Sequence, residues 1–518
     1  MNRNKTLSFL PILLLTVLSL AACSGPFKGG CTVNCGTGTA TVSLTLVSDT
    51  PPASPSLLSY KVAVSSVVLT PTTGNAFGFF PNPPLVIDLM RLQSDSAFLG
   101  TVLNVPATTY SSITVSLSNP QITFLNNTSA TITNASSASG SCVVNAICTI
   151  GPNAAGNPKV STAPFPITLT SSAKIGLAIN FNLSNSITVT GGTMTVTFTP
   201  ATAGVNVLSA FNLPRANANL GTNQLELIED FTGVVSISGS TVTITSPTRG
   251  VLTTTSTSSS FFDQSPPPTN LCPSAPSNCA VAGQIASVDA FLNTDGTFSL
   301  KEFEPLNATQ QDFVEGTVVA VNPTSQTQFT IVTTDKIKAA TNSLINALNT
   351  GDVVTVNIPA LTQGFLVDSK GLTVSTFGSY SFFSGQTTTT AIHPGQTVAL
   401  HLTAPFTAAN GNTLAIATAD TVVLRWTRLR ANVFSTTSAS INIDTLPSYF
   451  GFTSSSQAVV QAFFNGPLGT DGVTNLDGLA NNASGLATGK PVGLRVLYFQ
   501  NPGNTANPAF FAAKIRQP

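Results

Sequence analysis

From residue 40 onward, polar and apolar side chains alternate. Thr41, Ser43 and Thr45 interleave with Val42, Leu44 and Leu46, the pattern of a strand with one face buried. The same period returns at Ser112-Ile113-Thr114-Val115-Ser116-Leu117. The run Ile187-Thr188-Val189-Thr190-Gly191-Gly192-Thr193-Met194-Thr195-Val196 predicts a hairpin, because a two-residue Gly-Gly loop readily adopts the positive φ angles of tight turns. Its register sets Val189 against Met194 and Ile187 against Val196, with the threonines on the other face. The run from Val235 to Ile244 predicts a second hairpin, with Gly239 leading a type II′ turn. Residues 40–200 therefore read as one antiparallel β-sandwich. The Cys142/Cys148 segment reads as an Asn/Ser-rich insertion at a loop.

Farther along, two short signatures recur. The first is an apolar residue, any residue, Gly or Ala, any residue, then Val or Ile. It is centred on Gly233, Gly283, Gly316 and Ala431. The second occurs as Thr350-Gly351-Asp352-Val353-Val354, Pro394-Gly395-Gln396-Thr397-Val398 and Thr488-Gly489-Lys490-Pro491-Val492. Irregular spacing argues against a tight solenoid. Glycine in a strand allows the sharp bend of a small barrel. The predicted class is all-β, with the N-terminal sandwich followed by tandem small β-barrel-like modules. The boundaries read as a linker over 201–225 and modules over 226–310, 311–427 and 428–518. Val492 to Phe499 and Phe510 to Ile515 are expected to close the last module as a strand pair. Short helices are expected over Lys336 to Leu348 and Gln457 to Phe464, the latter before the stop signal Asn465-Gly466-Pro467.

The N-terminus departs from this pattern. Arg3 and Lys5 precede an apolar run from Leu7 to Ala22, shorter than the roughly 20 apolar residues that span a bilayer. It ends in small residues, as a cleaved export signal does. The closing Leu20-Ala21-Ala22-Cys23 resembles the lipobox of bacterial lipoproteins. The resemblance implies a signal peptide over 1–22, cleavage between Ala22 and Cys23, and acyl chains of the palmitate kind on Cys23. Residues 23–39 then form the lipidated start and a tether. Ser24, where an Asp would retain the protein at the inner membrane, implies the outer membrane. Two or three acyl chains anchor stably, at about 0.8 kcal/mol per buried CH₂. An ordinary secretory signal that happens to contain a Cys is the alternative.

Only 8% of the residues are charged and the net charge is zero, so no basic patch tracks phosphates and nucleic acid is not an expected partner. Removing Cys23 leaves an even set of cysteines in close pairs: Cys31/Cys35, Cys142/Cys148 and Cys272/Cys279. In an oxidising envelope these read as disulfide candidates. No pair is a CxxC, and the two histidines lie far away, so no metal or other cofactor is expected.

Catalytic patterns are sparse. His393 and His401 are the only candidates for the base of a hydrolase, and no Gly-x-Ser-x-Gly elbow is present. The segment Asn293 to Glu302 matches a calcium loop only in part. With Gly296 as the turn glycine, Phe291 stands where the first carboxylate belongs. An Asp-Gly hairpin turn explains it better. Glu226, Glu229 and Asp230 form the one acidic cluster, expected as a solvated linker. Trp426, in Leu424-Arg425-Trp426-Thr427-Arg428-Leu429-Arg430, is expected in a core with solvated arginines around it.

Taken together, the Thr41–Val47 strand, Tyr60–Val64, Val86–Leu89, Tyr110–Leu117, Gly176–Leu183 and the two glycine signatures resemble an uncharacterised class of bacterial lipoproteins. In that class a β-sandwich domain of unknown function precedes tandem copies of a small β-barrel domain, also of unknown function. The resemblance spans most of residues 40–518 and brings no catalytic residues. The functional expectation is a non-enzymatic, lipid-anchored envelope protein. It would act as a binding or structural scaffold toward an unknown protein or glycan. A carbohydrate-binding adhesion protein and a secreted hydrolase are the alternatives.

Overall fold

The computed structural model describes residues 38–517 apart from 135–139, 152–158, 197, 199–206, 218, 263–281, 307–311, 339–342, 360–363, 369–388, 411–414, 437–439, 452–457, 463–474, 480–485 and 501–507. Ala22, Cys23, Cys31, Cys35, Cys272 and Cys279 lie outside these residues.

The N-terminal part is a sandwich. One sheet orders its strands Leu208–Leu213, Lys174–Phe181, Thr39–Ser48 and Ala97–Pro106. The other runs Lys159–Thr168, Thr109–Leu125, Ser56–Pro71 and Phe77–Phe79, with Leu85–Asp88 and Ile147–Ile150 paired alongside. Within these two sheets pairing is antiparallel except between Thr39–Ser48 and Lys174–Phe181. Val42, Leu44 and Leu46 from one sheet meet Tyr60, Val62 and Val64 from the other in one core. The hairpin of residues 187–196 has the register expected of it, Ile187 on Val196 and Val189 on Met194, with positive φ at both Gly191 and Gly192. Cys142 and Cys148 form a disulfide that ties Ser141–Cys142 to Ile147–Ile150.

Three modules of identical strand order follow. Their first strands are Gln224–Ser238, Phe313–Val321 and Thr427–Thr436. Their second strands are Thr241–Ser246, Gln328–Ile337 and Ser440–Asp444. The third strands, Gly250–Thr255, Val353–Asn357 and Ala458–Ala462, are followed by the short strands Phe261–Phe262, Phe365–Val367 and Asn475–Asp477. The fourth are Ile285–Asn293, Thr397–Leu402 and Pro491–Gln500, and the fifth Phe298–Pro305, Ala415–Arg425 and Pro508–Arg516. Each sheet runs third, second, first, fourth, fifth, short, and the third strand also pairs in parallel with the fifth. Pairing thus passes around five strands. In the first module the third and fifth strands meet at a single residue pair, Thr255 with Ser299.

The glycine signatures mark two bends. Gly233 and Gly316 sit midway along the first strands, where the second strand presses close. A Cβ on Gly233 would lie 2.3 Å from the Thr245 carbonyl oxygen, and one on Gly316 2.9 Å from that of Val332. Ala431 holds the same place in the third module. Gly283 shares their sequence pattern but occupies a different bend. It stands with Gly395 and Gly489 in the turn before each fourth strand, all three with φ between 78° and 94°. Their N–H groups donate to Val235, Val318 and Val433, whose own N–H groups donate back to Gln284, Gln396 and Lys490. Gly351 makes the same reciprocal contact one strand earlier, with Thr333.

Several expectations are corrected. Leu208–Leu213, read as linker, pairs along the sandwich edge strand Lys174–Phe181. Its buried Leu208 and Leu213 are separated by Ser and Asn, which blurred the pattern. Lys336 and Ile337 end a strand and Leu344–Ala347 form a turn, so no helix spans Lys336 to Leu348 among the described residues. Ala458–Ala462 is a strand, not a helix, because its adjacent valines pair against Ile441 and Asn442. The Asp295-Gly296 turn links two antiparallel strands, with Asp295 Oδ1 accepting from Thr297 N at 3.0 Å.

The module cores are not sealed from one another. Leu497, Phe499 and Phe511 of the third module pack into the second module's core beside Trp426. Leu58 of the sandwich and Val332 of the second module enter the third module's core. Gly233→Ala is expected to lower stability by about 1–3 kcal/mol, the usual cost of overpacking. Ala431→Gly should cost no more than about 1 kcal/mol. Urea unfolding of both variants measures the difference.

Candidate functional site

The chain carries few charges, and many are buried together where the four units meet. The meeting point is built on the segment that follows strand Leu85–Asp88. Asp88 pins it: Oδ1 accepts from Tyr60 N at 2.8 Å and Met90 N at 3.0 Å, and Oδ2 from Ser59 Oγ at 2.7 Å. A 3-10 turn over Arg91–Gln93 then projects Arg91, Asp95 and Ser96 among the modules, all buried.

Every pair of units is bridged through this cluster. Arg91 of the sandwich pairs with Asp335 at 3.0 Å and Glu315 at 3.3 Å in the second module. Asp95 pairs with Arg428 of the third, whose Arg516 also donates to the Asp95 carbonyl at 2.6 Å and Ser96 Oγ at 2.7 Å. Arg249 of the first module donates to the Ser96 carbonyl. Between modules, Arg495 pairs with Glu229 at 2.7 Å and Asp230 at 3.1 Å, and Lys514 with Glu229 at 2.8 Å. Arg425 of the second module pairs with Glu304 of the first at 3.3 Å, and Arg428 of the third with Glu315 of the second at 3.6 Å.

The signs are sorted by module. Six residues beyond the turn glycines Gly283, Gly395 and Gly489 stand Asp289, His401 and Arg495. Their cross-strand neighbours are Glu302, Thr421 and Lys514. The same rung is thus acid beside acid in the first module and base beside base in the third. Like charges directly opposite destabilise a sheet; Glu229 and Asp230 of the first module offset the basic rung, while Asp289 of the acidic rung pairs with Lys301 of its own module at 3.8 Å.

Burial sets the titration of these groups. Desolvation pushes the Glu226 carboxyl up to about 7, with Asp477 adding to the rise. Burial also acts to raise Asp95, but Arg428, Arg495 and Arg249 overcome it and hold the carboxyl down at about 2. Asp477 is likewise held at about 2, with Arg516 and Lys514 outweighing desolvation. Burial alone would lower Arg495, yet Asp230 and Glu229 keep it well above the ordinary arginine value.

The structure therefore moves several residues from where the sequence placed them. Glu226, Glu229 and Asp230 are not a solvated linker. They lie in the first strand of the first module, 5%, 2% and 1% exposed. Arg425, Arg428 and Arg430 are not solvated either, because their guanidinium groups face acids: Asp368 of its own module for Arg425, Asp230 of the first module for Arg428 and, at 3.6 Å, Asp49 of the sandwich for Arg430. Trp426 is in a core, as expected. His393 sits in the turn against Tyr498, its pKa lowered by burial to about 4. His401 Nδ1 lies 2.6 Å from Asp420 Oδ1, which also accepts from Thr421 Oγ1 at 3.0 Å. Among the described residues no group of three or more His, Cys, Asp or Glu side chains is placed to hold a metal ion. No helix there is long and apolar enough to cross a membrane. Sequence reasoning missed Arg91, Asp95, Glu315, Asp335, Arg495, Lys514 and Arg516. The available signal was a lone charge inside an apolar strand, as in Val492-Gly493-Leu494-Arg495-Val496-Leu497.

Fold and cluster together define a β-sandwich bearing three barrel-like modules clamped by internal ion pairs. Residues 39–200 match a family described as Domain of unknown function (DUF4382). The matched span contains the sandwich strands from Thr39 to Val196. No curated protein matches the chain.

Two measurements probe the cluster. Arg495→Met strands Glu229 and Asp230 and should cost about 3–5 kcal/mol, as breaking a buried pair does. Lys174→Met, at an exposed position, should change stability by about 0.5 kcal/mol at most. Glu226 takes up a proton on folding, since its pKa rises from the ordinary 4.5 to about 7. Its contribution therefore falls as pH rises through that window. Asp95 and Asp477 act oppositely, losing stability as pH falls toward about 2. Glu226→Gln is expected to gain stability relative to wild type between pH 5 and pH 7.5, read from urea midpoints; an unchanged difference would contradict the assignment.

Proposed function

We propose that this protein is an exported lipoprotein, held by acyl chains on Cys23, that displays a rigid β-assembly at the cell envelope without catalysing a reaction. The observation that carries this reading is the leader itself: Arg3 and Lys5, the apolar run, and Leu20-Ala21-Ala22-Cys23 in register. Location at the outer membrane rests on Ser24. The Cys142–Cys148 disulfide fits an oxidising compartment.

The body suits a scaffold. Four units joined by buried charge and shared cores present fixed surfaces to a protein, a glycan or an envelope polymer. Nucleic acid is not favoured, since the net charge is zero and many of the arginines face inward. Among the described residues Trp426, Tyr60, Tyr110, Tyr449 and Tyr498 are buried and the exposed aromatic side chains are Phe80 and Phe434, well apart in sequence, which supports sugar recognition by aromatic stacking less than a protein partner.

Metabolic labelling with palmitate, followed by mass spectrometry of the purified native protein, tests the anchor. The expected product begins at Cys23, carries two or three acyl chains and enters the membrane fraction. Cys23→Ser should remove the label and release the protein from that fraction. A native product that starts upstream of residue 23, or lacks lipid, rules the reading out.

A further inference from the structure

A cavity of about 390 Å³ opens where the sandwich meets the third module, within the usual size range of small-molecule sites. Its wall is largely apolar, with Pro51, Leu57, Met90, Leu446, Pro447 and Tyr449 contributing. Arg430 is the single charged residue in the lining. It is also poorly compensated. Nη2 donates to the Ser48 carbonyl at 3.0 Å and lies 3.6 Å from Asp49 Oδ1. That oxygen already accepts from Thr50 N at 2.7 Å and Thr50 Oγ1 at 3.1 Å. The buried Nε and Nη1 of Arg430 have no hydrogen-bond partner, and neither has Oγ of Ser448, also in the lining. An unsatisfied buried donor is costly, and a native protein that keeps several beside a cavity points to a missing acceptor.

We propose that this cavity binds a small carboxylate with an apolar body. The carboxylate would pair with Arg430, after a rotation of the guanidinium toward the cavity, and the apolar part would lie against Leu57, Met90 and Leu446. Burial holds the Arg430 pKa down at about 10; Asp49 and Asp477 act against the shift, and Arg516 and Arg215 add positive charge that acts with it. An anion relieves both the added charge and the lowered pKa. The site is independent of how the chain is anchored.

The test uses the mature chain with Cys23→Ser, so that no acyl tail competes with the probe. Equilibrium dialysis measures radiolabelled octanoate, with octan-1-ol as the uncharged comparison. Saturable octanoate binding at least about tenfold tighter than octanol is expected, the size of one charged hydrogen-bonded contact. Arg430→Met should reduce octanoate to the octanol level. Ala53→Trp, at an exposed position of the rim, should weaken both probes about tenfold or more through loss of space. It decides the matter if Arg430→Met fails to fold. Octanoate that does not saturate, that binds no better than octanol, or that is indifferent to Ala53→Trp overturns the proposal.

Discussion

The structure depends on a desolvated electrostatic junction. Taking ions out of water costs several kcal/mol each, and only close counter-charges with good geometry offset that cost. Here the counter-charges come from different units. Glu229 sits in the first module, while Arg495 and Lys514 belong to the third. Neither side can be buried alone without a large penalty. A sequence that is only 8% charged has thus placed much of its charge where it enforces one arrangement of parts. Apolar packing accompanies it, since Leu497, Phe499 and Phe511 fill a neighbour's core. The apolar contacts provide much of the attraction, and the ion pairs dictate which surfaces may meet.

Local order was legible because it rests on short-range rules. The hairpin at 187–196 and the turn at Gly239 followed from glycine φ preferences and period-two alternation, and the registers agree. Trp426 was placed in a core for a similar reason. Longer-range relations were not legible. Glu226, Glu229 and Asp230 looked like a solvated run because nothing nearby in sequence neutralises them. Their ion-pair partners lie far away in the chain, 198 residues from Asp230 to Arg428 and 266 from Glu229 to Arg495. The helices expected over 336–348 and 457–464 failed because a short apolar run does not declare its period, and the described residues of both segments are strand or turn.

The glycine signatures show a related limit. Gly283 and Gly233 share a sequence pattern but occupy different bends, one in a turn with positive φ and one where two backbones touch. Backbone conformation and hydrogen-bond partners tell them apart. Once aligned by those partners, the modules reveal their divergence. A rung that is Asp289 beside Glu302 in the first has become Arg495 beside Lys514 in the third. Repeated units of one shape have acquired opposite character, and so cannot exchange places.

The reciprocal bonds between Val235 and Gly283, Val318 and Gly395, and Val433 and Gly489 fasten each fourth strand to its first at one fixed point. The chain between the short strand and that point runs from Phe262 to Gly283, from Val367 to Gly395 and from Asp477 to Gly489, three different lengths. Because the entropy of closing a loop grows only slowly with its length, this stretch can lengthen or shorten while the strands stay in step. Each module therefore has a built-in place for novelty: a site where evolution, or an engineer, can graft new sequence without retuning the framework that carries it.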